Sequence, residues 1–293
     1  MVILNSENIK AYIDYLMYER RLSKNTIIAY KKDLNIIIST LKKDLNQLNK
    51  DDINNFLKNM DASSRTKAHY LTVLNSYYNY LIFTGLLSMN PCDMIKSPKI
   101  EKKLPVYLTI EEIDKLFNIR LNKPIDYRNK AMLELLFATG TRISELTSLT
   151  LSQINFEESI IKVMGKGKKE RIIPIANNAL NYLKVYIYNY REYLIKNNND
   201  YVFLNKNGEK ISRQGFFKIL KKMAQDSGIN KNISPHVLRH SFATYLLNNG
   251  VDLRVIQELL GHENLETTEI YSHLTSKKIK DDYDNHPHAH LVN

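Results

Sequence analysis

Residues 91–112 read Pro91-Cys-Asp-Met-Ile-Lys-Ser-Pro-Lys-Ile-Glu-Lys-Lys-Leu-Pro-Val-Tyr-Leu-Thr-Ile-Glu-Glu112. Prolines at 91, 98 and 105 stop any helix that would run through, because each lacks a backbone N–H and fixes φ. The lysines between them keep the stretch solvated. Thr109-Ile-Glu-Glu112 has the pattern of a capping box, a hydroxyl three residues before a carboxylate, and opens a new helix. The stretch therefore reads as a linker over 91–106, between one body at 1–90 and a second at 107–293. A chain of 293 residues is long enough for two domains of ~100–200 residues each.

Before the linker the pattern is helical. Ser6 caps a helix with apolar Ile9, Ile13, Leu16 and Met17; Ser23 caps a second with Ile27, Leu34, Ile38 and Leu41. A short helix from about Asp51 carries Ile53, Phe56 and Leu57, and one from Ser63-Ser64 carries Tyr70, Leu74, Tyr77, Tyr78 and Leu81. Four amphipathic helices with short loops describe a small bundle, and the tyrosine stripe reads as its core or as a partner-helix surface in preference to a stacking platform.

After the linker the chain reads as mainly helical with a small antiparallel β-sheet, a mixed α+β body. Ile160–Met164 and Arg171–Ile175 flank Gly165-Lys-Gly-Lys-Lys-Glu170 as a hairpin, with Pro174 at a strand end. Helical patterns follow at about 177–196 and 212–227, with a short strand at Tyr201-Val202-Phe203 between them. Ser234-Pro235 caps and opens another helix. Asp252 to Leu260 is a helix stopped by Gly261, and Thr267 or Thr268 begins the next.

Composition narrows the function. Lys and Arg number 42 against 31 Asp and Glu, a net charge of +11. An excess of this size favours a polyanionic partner, nucleic acid above all. It is shared between the bodies, +5 over residues 1–99 and +6 over 100–293. No run of ~18 apolar residues is present, so no membrane span is expected. The single Cys92 cannot close an internal disulfide, and the start lacks a leader pattern, so a cytoplasmic location is expected. There is no Gly-x-x-x-x-Gly-Lys-Ser/Thr loop and no His-Glu-x-x-His or carboxylate-rich cluster, which leaves ATP use and two-metal phosphoryl transfer unsupported. No cofactor or metal is expected.

What remains is a set of cations and one tyrosine. In Thr139-Gly-Thr-Arg-Ile-Ser-Glu-Leu146, Arg142 follows a glycine that permits a sharp turn, and Glu145 stands three residues on. His236 and Arg239 share a helical face near a helix start, where the dipole adds to their attraction for an anion. His262 follows the helix stop at Gly261, and Tyr271 is one of 19 tyrosines. Each alone is unremarkable: a paired arginine, a basic helix start, a corner histidine. Together they fit phosphodiester chemistry. Two arginines clamp the non-bridging oxygens, a lysine or histidine protonates the leaving alkoxide, and a phenol forms a covalent phosphotyrosine that conserves the bond. Basic side chains near helix starts, Lys24, Lys31, Arg65, Lys67 and Arg213, suit DNA phosphates, as does Lys168 in the hairpin.

The ordered set Thr139-Gly-Thr-Arg-Ile-Ser-Glu-Leu-Thr, Gly165-Lys-Gly-Lys-Lys-Glu-Arg-Ile-Ile-Pro, Pro235-His-Val-Leu-Arg-His-Ser-Phe-Ala-Thr, Leu259-Leu-Gly-His and Thr267-Thr-Glu-Ile-Tyr-Ser-His resembles the tyrosine recombinases of the lambda-integrase family. The N-terminal helices, with Leu22-Ser-Lys-Asn-Thr, resemble that family's four-helix SAM-like core-binding domain. In size and in the closing Asp284-Asn-His-Pro-His the chain looks most like the Xer recombinases. The resemblance implies Arg142, Lys166, His236, Arg239 and His262 as the catalytic set, Tyr271 as nucleophile and Glu145 as support, with Lys166 as general acid for the 5′-oxygen. It implies a 3′-phosphotyrosine intermediate and strand exchange between duplexes, in the Xer case to resolve chromosome dimers at a dif-like site. It also implies a homo- or hetero-tetramer on double-stranded DNA, a C-terminal segment near Lys277–Asp284 that docks into a neighbour, and a DNA translocase as possible activator. Three other readings stay open: a mobile-element integrase or transposase, a type IB topoisomerase-like nicking-closing enzyme, and a catalytically dead DNA-binding protein. His286, His288 and His290 read as an exposed tail.

Overall fold

The computed structural model describes residues 7–100, 106–165 and 170–261. The chain divides into two compact units, Met1–Lys103 and Leu104–Asn293. Among the described residues no helix is long and apolar enough to cross a membrane.

The first unit holds four helices: α1 (Glu7–Tyr18), α2 (Lys24–Leu41), α3 (Lys50–Asn59) and α4 (Ser64–Phe83). Ser23 and Ser63 cap their helices as the sequence reading has it, and Asn49, which that reading did not name, caps α3. Ser23 accepts from the Thr26 N–H, Asn49 forms a capping box with Asp52, and Ser63 accepts from the Thr66 N–H. Each such cap contributes ~1 kcal/mol by satisfying a helix-end donor. The core is aromatic as well as aliphatic. Tyr12, Tyr77 and Tyr78 are fully buried, and Tyr12 and Tyr77 meet edge to face at 5.3 Å. Each phenol has a partner: Ser76 Oγ at 2.7 Å, Asn46 Oδ1 at 2.8 Å and the Leu45 carbonyl at 2.7 Å. These bonds remove the cost of burying three hydroxyls and make the tyrosine stripe of α4 structural. Packed structure continues past the first proline, because Cys92 is buried in the same core and Asn90 bonds Asn75 and Asn79.

The second unit is organised around α6 (Pro124–Thr139). Ten consecutive residues and more of it are buried, including Lys130 and Glu134. These two pair at 2.9 Å, and Lys130 also donates to the Phe117 carbonyl, so neither charge is buried alone. Against α6 pack α5 (Ile110–Phe117), α7 (Ile143–Ser148), α8 (Asn177–Val185) and α10 (Pro235–Asn248), while α9 (Arg213–Asp226) packs on α7 and α11 (Leu253–Leu260) on α10. The capping box of Thr109 and Glu112 opens α5. The antiparallel sheet has three strands in the order β1 (Ile154–Asn155), β2 (Ile160–Met164), β3 (Glu170–Pro174). Its register pairs Ile161 with Ile173 and Val163 with Arg171. Ile161, Val163 and Ile173 face the core while Met164 and Ile172 are exposed, as period-two alternation requires.

Two expected elements differ. The helix expected to 196 ends at Val185 and gives way to a π turn over Tyr186–Tyr190 and a short 3₁₀ turn. Tyr186 is drawn inward to the Val202 carbonyl and Tyr190 stacks on Tyr127 at 3.6 Å, which rotates the chain out of α-helical register. The strand expected at Tyr201–Phe203 makes only isolated bridges, Thr150 with Tyr201 and Leu204 with Lys210. The buried Arg191 guanidinium donates to the Tyr201 and Val202 carbonyls, which in a strand would accept from a neighbour's backbone N–H.

Candidate active site

Arg142 owes its place to the end of α6. Gly140 closes that helix at φ 56°, ψ 20°, the left-handed conformation that releases the chain into a tight turn. The space is glycine's as well: a Cβ there would lie 2.5 Å from two ring carbons of Phe242. Two residues later Arg142 is the N-cap of α7, and Glu145 at the third position closes a capping box on the Arg142 N–H at 2.8 Å. The same carboxylate accepts Arg142 Nη1 at 3.0 Å.

Glu145 serves a second guanidinium. Arg171, at the start of β3, donates Nη1 and Nη2 to its two oxygens at 2.9 and 2.7 Å. One buried carboxylate thus receives four N–H donors from two arginines. Burial acts to push this carboxyl upward; the Arg171 fork, then the Arg142 backbone and side chain, outweigh it and hold the group below the usual carboxylate range.

Arg239 completes the cluster. Its guanidinium donates to the carbonyls of Gly140 and Leu260, and Arg142 Nη2 donates to the next carbonyl, Gly261, at 2.9 Å. The anchors are therefore the C-terminal ends of α6 and α11, where unsatisfied carbonyls carry the negative pole of each helix. The sequence reading set both His236 and Arg239 near the start of α10, where the dipole favours an anion. His236 sits exposed in the first turn of α10, but Arg239 lies one turn further and is held by other helices. Burial, then the like charges of Arg142 and Arg171 against the opposing Glu145, lower the Arg239 guanidinium to about 10. Three guanidiniums surround one carboxylate in a partly desolvated place, so the pocket is short of negative charge. Guanidiniums so placed have the charge and the forked donors that phosphate oxygens accept from.

With that geometry in view, comparison with known proteins is decisive. The profile of the phage integrase family matches residues 106–278, and that of the phage integrase N-terminal SAM-like domain matches residues 9–85. The chain belongs to the phage integrase family. It is a site-specific tyrosine recombinase, a DNA strand-exchange enzyme. The tyrosine recombinase XerD of Oceanobacillus iheyensis is 42% identical over 292 residues, covering 96% of this chain and 98% of its own. XerD of Listeria monocytogenes serotype 4b is 42% identical over 293 residues, covering 96% and 99%. Among solved structures, that of XerA recombinase superposes with a TM-score of 0.51 at 29% identity, over 96% of this chain and 98% of that one. XerH bound to its difH substrate before cleavage gives 0.69 at 23% identity, over 94% and 84%, a likeness of fold.

Of the residues singled out in the sequence of this recombinase, the structure brings Arg142, Glu145 and Arg239 together. Lys166, Lys168, His262, Tyr271 and the segment Lys277–Asp284 lie outside the described residues. Lys24, Lys31 and Arg65 are exposed on the first unit, and Arg213 is exposed at the start of α9. Lys67 is half-buried and reaches the Lys58 carbonyl at 3.4 Å. Among the described residues no group of three or more His, Cys, Asp or Glu is placed to hold a metal. Sequence reasoning missed Arg171, although a signal existed. It shares a strand face with the buried Ile173 and Ile175, and an inward cation demands a buried partner.

Proposed function

We propose that the protein acts as an Xer-type recombinase that resolves chromosome dimers at a dif-like site, with Arg142 and Arg239 as the clamp on the scissile phosphate. The observation that supports this most is the cluster of three guanidiniums around Glu145, in a chain so similar to XerD over its length. In this reading the Tyr271 phenolic oxygen attacks the phosphorus and its proton passes to His236 or His262. The bond to the 5′-oxygen breaks as the tyrosyl ester forms, and Lys166 protonates the leaving oxygen. Charge that builds on the non-bridging oxygens is taken by Arg142 and Arg239, already fixed in position. A 5′-hydroxyl from the other duplex then attacks the phosphotyrosine, and the phenol regains its proton. One ester is exchanged for another at each step, so no ATP is consumed.

Residues 1–90 serve as the core-binding domain, 91–106 as the linker and 107–293 as the catalytic domain. Lys24, Lys31, Arg65, Lys67, Lys168 and Arg213 contact DNA phosphates. Four recombinases, of one kind or two, assemble on two duplexes in the cytoplasm, with a translocase as activator. The test is a nicked duplex carrying the site that the protein protects in footprinting, which traps the covalent step. Wild type forms a protein–DNA adduct; Tyr271→Phe binds the duplex but forms none. Adduct with both proteins assigns the nucleophile elsewhere. Site-independent relaxation of supercoiled plasmid by the protein alone points instead to a nicking-closing enzyme.

A further inference from the structure

Arg171 is bound on more sides than a structural ion pair needs. Its fork covers both oxygens of Glu145, the geometry that fixes orientation as well as distance. The other donors to that carboxylate are the side chain and backbone of Arg142. On a further side, a Cβ on Gly261 would lie 3.1 Å from Arg171 Cζ and Nη1, so the guanidinium packs against the backbone whose carbonyl receives Arg142 Nη2. Gly261 is left-handed, φ 66°, and ends α11. Arg171 Nε is itself buried without a hydrogen-bond partner, so the side chain accepts an unsatisfied donor in order to hold this position. Arg171 therefore touches both supports of Arg142, the Glu145 carboxylate and the Gly261 turn.

We propose that Arg171 is a positioning residue for Arg142, acting from β3 through Glu145 and the end of α11 to set the phosphate clamp. The inference rests on the reading of Arg142 as that clamp. Its alternative is that Arg171 only holds β3 in the fold. The two differ in pH dependence. The charges that face Glu145 are Arg142 from the start of α7, Arg171 from β3 and, more distantly, Arg239 from α10. Without Arg171, burial acts against Arg142 and Arg239 alone, and the carboxyl rises into the range where acid protonates it.

The experiment measures single-turnover adduct formation on the nicked duplex, from mildly acidic to neutral pH, for the full chain and for Arg171→Gln, Arg171→Lys, Glu145→Gln and Arg171→Gln/Glu145→Gln. Band-shift affinity and thermal unfolding are read on each. The proposal expects unchanged DNA affinity and a cleavage rate lower by about 10–100-fold, the scale on which groups that orient a reacting residue act. Beyond any histidine-dependent limb that all the variants share with wild type, Arg171→Gln gains a further loss of rate in acid that the double variant does not show, and the double variant is no slower than Glu145→Gln. Arg171→Lys, which keeps the charge but not the fork, is slower than wild type and carries the test if Arg171→Gln does not fold. Wild-type rates and pH profiles in both Arg171 variants, or losses that multiply in the double variant, overturn it. Absence of adduct with wild type would instead overturn the functional reading.

Discussion

Replacing Gly140 by alanine perturbs two things at once. The left-handed conformation costs an L-residue ~1–2 kcal/mol. The new Cβ, 2.5 Å from Phe242 Cδ1 and Cε1 and 3.0 Å from Leu260 Cδ2, then forces α10 or the α11 end to move, at ~1–3 kcal/mol for an overpacked core. A control separates the two: Gly228 has φ +69° in the same unit, and a Cβ there meets nothing within 4 Å. Gly228→Ala carries the backbone cost alone. At ~2–4 °C per kcal/mol for a unit of this size, Gly140→Ala melts about 2–12 °C below Gly228→Ala in thermal unfolding of the full chain. Phe242 lies one turn after Arg239 on α10, and the Gly140 carbonyl is an Arg239 acceptor. Adduct formation on the nicked duplex should therefore fall in Gly140→Ala and not in Gly228→Ala. Equal melting temperatures and equal cleavage rates in the two variants would refute the packing argument.

Glu145→Gln removes the buried carboxylate that pairs with the largely buried Arg171 and the partly exposed Arg142, and should destabilise the protein by ~3–5 kcal/mol through the charge left on Arg171, read by denaturant unfolding at neutral pH. Because the folded Glu145 carboxyl lies below its unfolded value, its stabilisation is present above the ordinary carboxylate range and is lost as pH falls through the folded value. The difference between wild type and Glu145→Gln should therefore shrink in acid. For Arg239 the sign is reversed: a value lowered to about 10 means that burying the cation costs stability below that pH, a cost relieved as pH rises through it. Inorganic phosphate should offset the same cost at neutral pH, stabilising wild type by ~2.7 kcal/mol at ~100-fold its dissociation constant, with the gain reduced in Arg239→Met. In the first unit, Tyr78→Phe removes the 2.7 Å phenol donor to the Leu45 carbonyl, which keeps the Leu48 N–H, and should cost ~0.5–1.5 kcal/mol in unfolding experiments.

How much of this was legible in the sequence depended on how local each cause is. The helices with one apolar face and a hydroxyl cap, α2, α4 and α5, are written in a few adjacent residues, and their caps stand where Ser23, Ser63 and Thr109 place them. Helix α6 is the centre of its unit yet shows no face, since it is surrounded and its charges, Lys130 and Glu134, pair inside. A helix buried all round has no amphipathic pattern to read. The π turn at Tyr186–Tyr190 answers to tertiary contacts with Tyr127 and Val202 that no local spacing encodes. The site divides in the same way. Arg142 and Glu145 are three residues apart and could be paired on paper. Arg171 meets Glu145 across 26 residues of sequence, and the anchoring of Arg239 on Gly140 spans 99.

The most direct test of the account is the identity of the residue joined to DNA. Trypsin acting after Arg254 and Lys277 releases Val255–Lys277, in which Tyr271 is the sole tyrosine. Mass spectrometry of the adduct trapped on the nicked duplex should find the nucleotide on Tyr271 of that peptide, with wild type only. A nucleotide on any other side chain, or an adduct that persists in Tyr271→Phe, would contradict the assignment on which the chemistry rests.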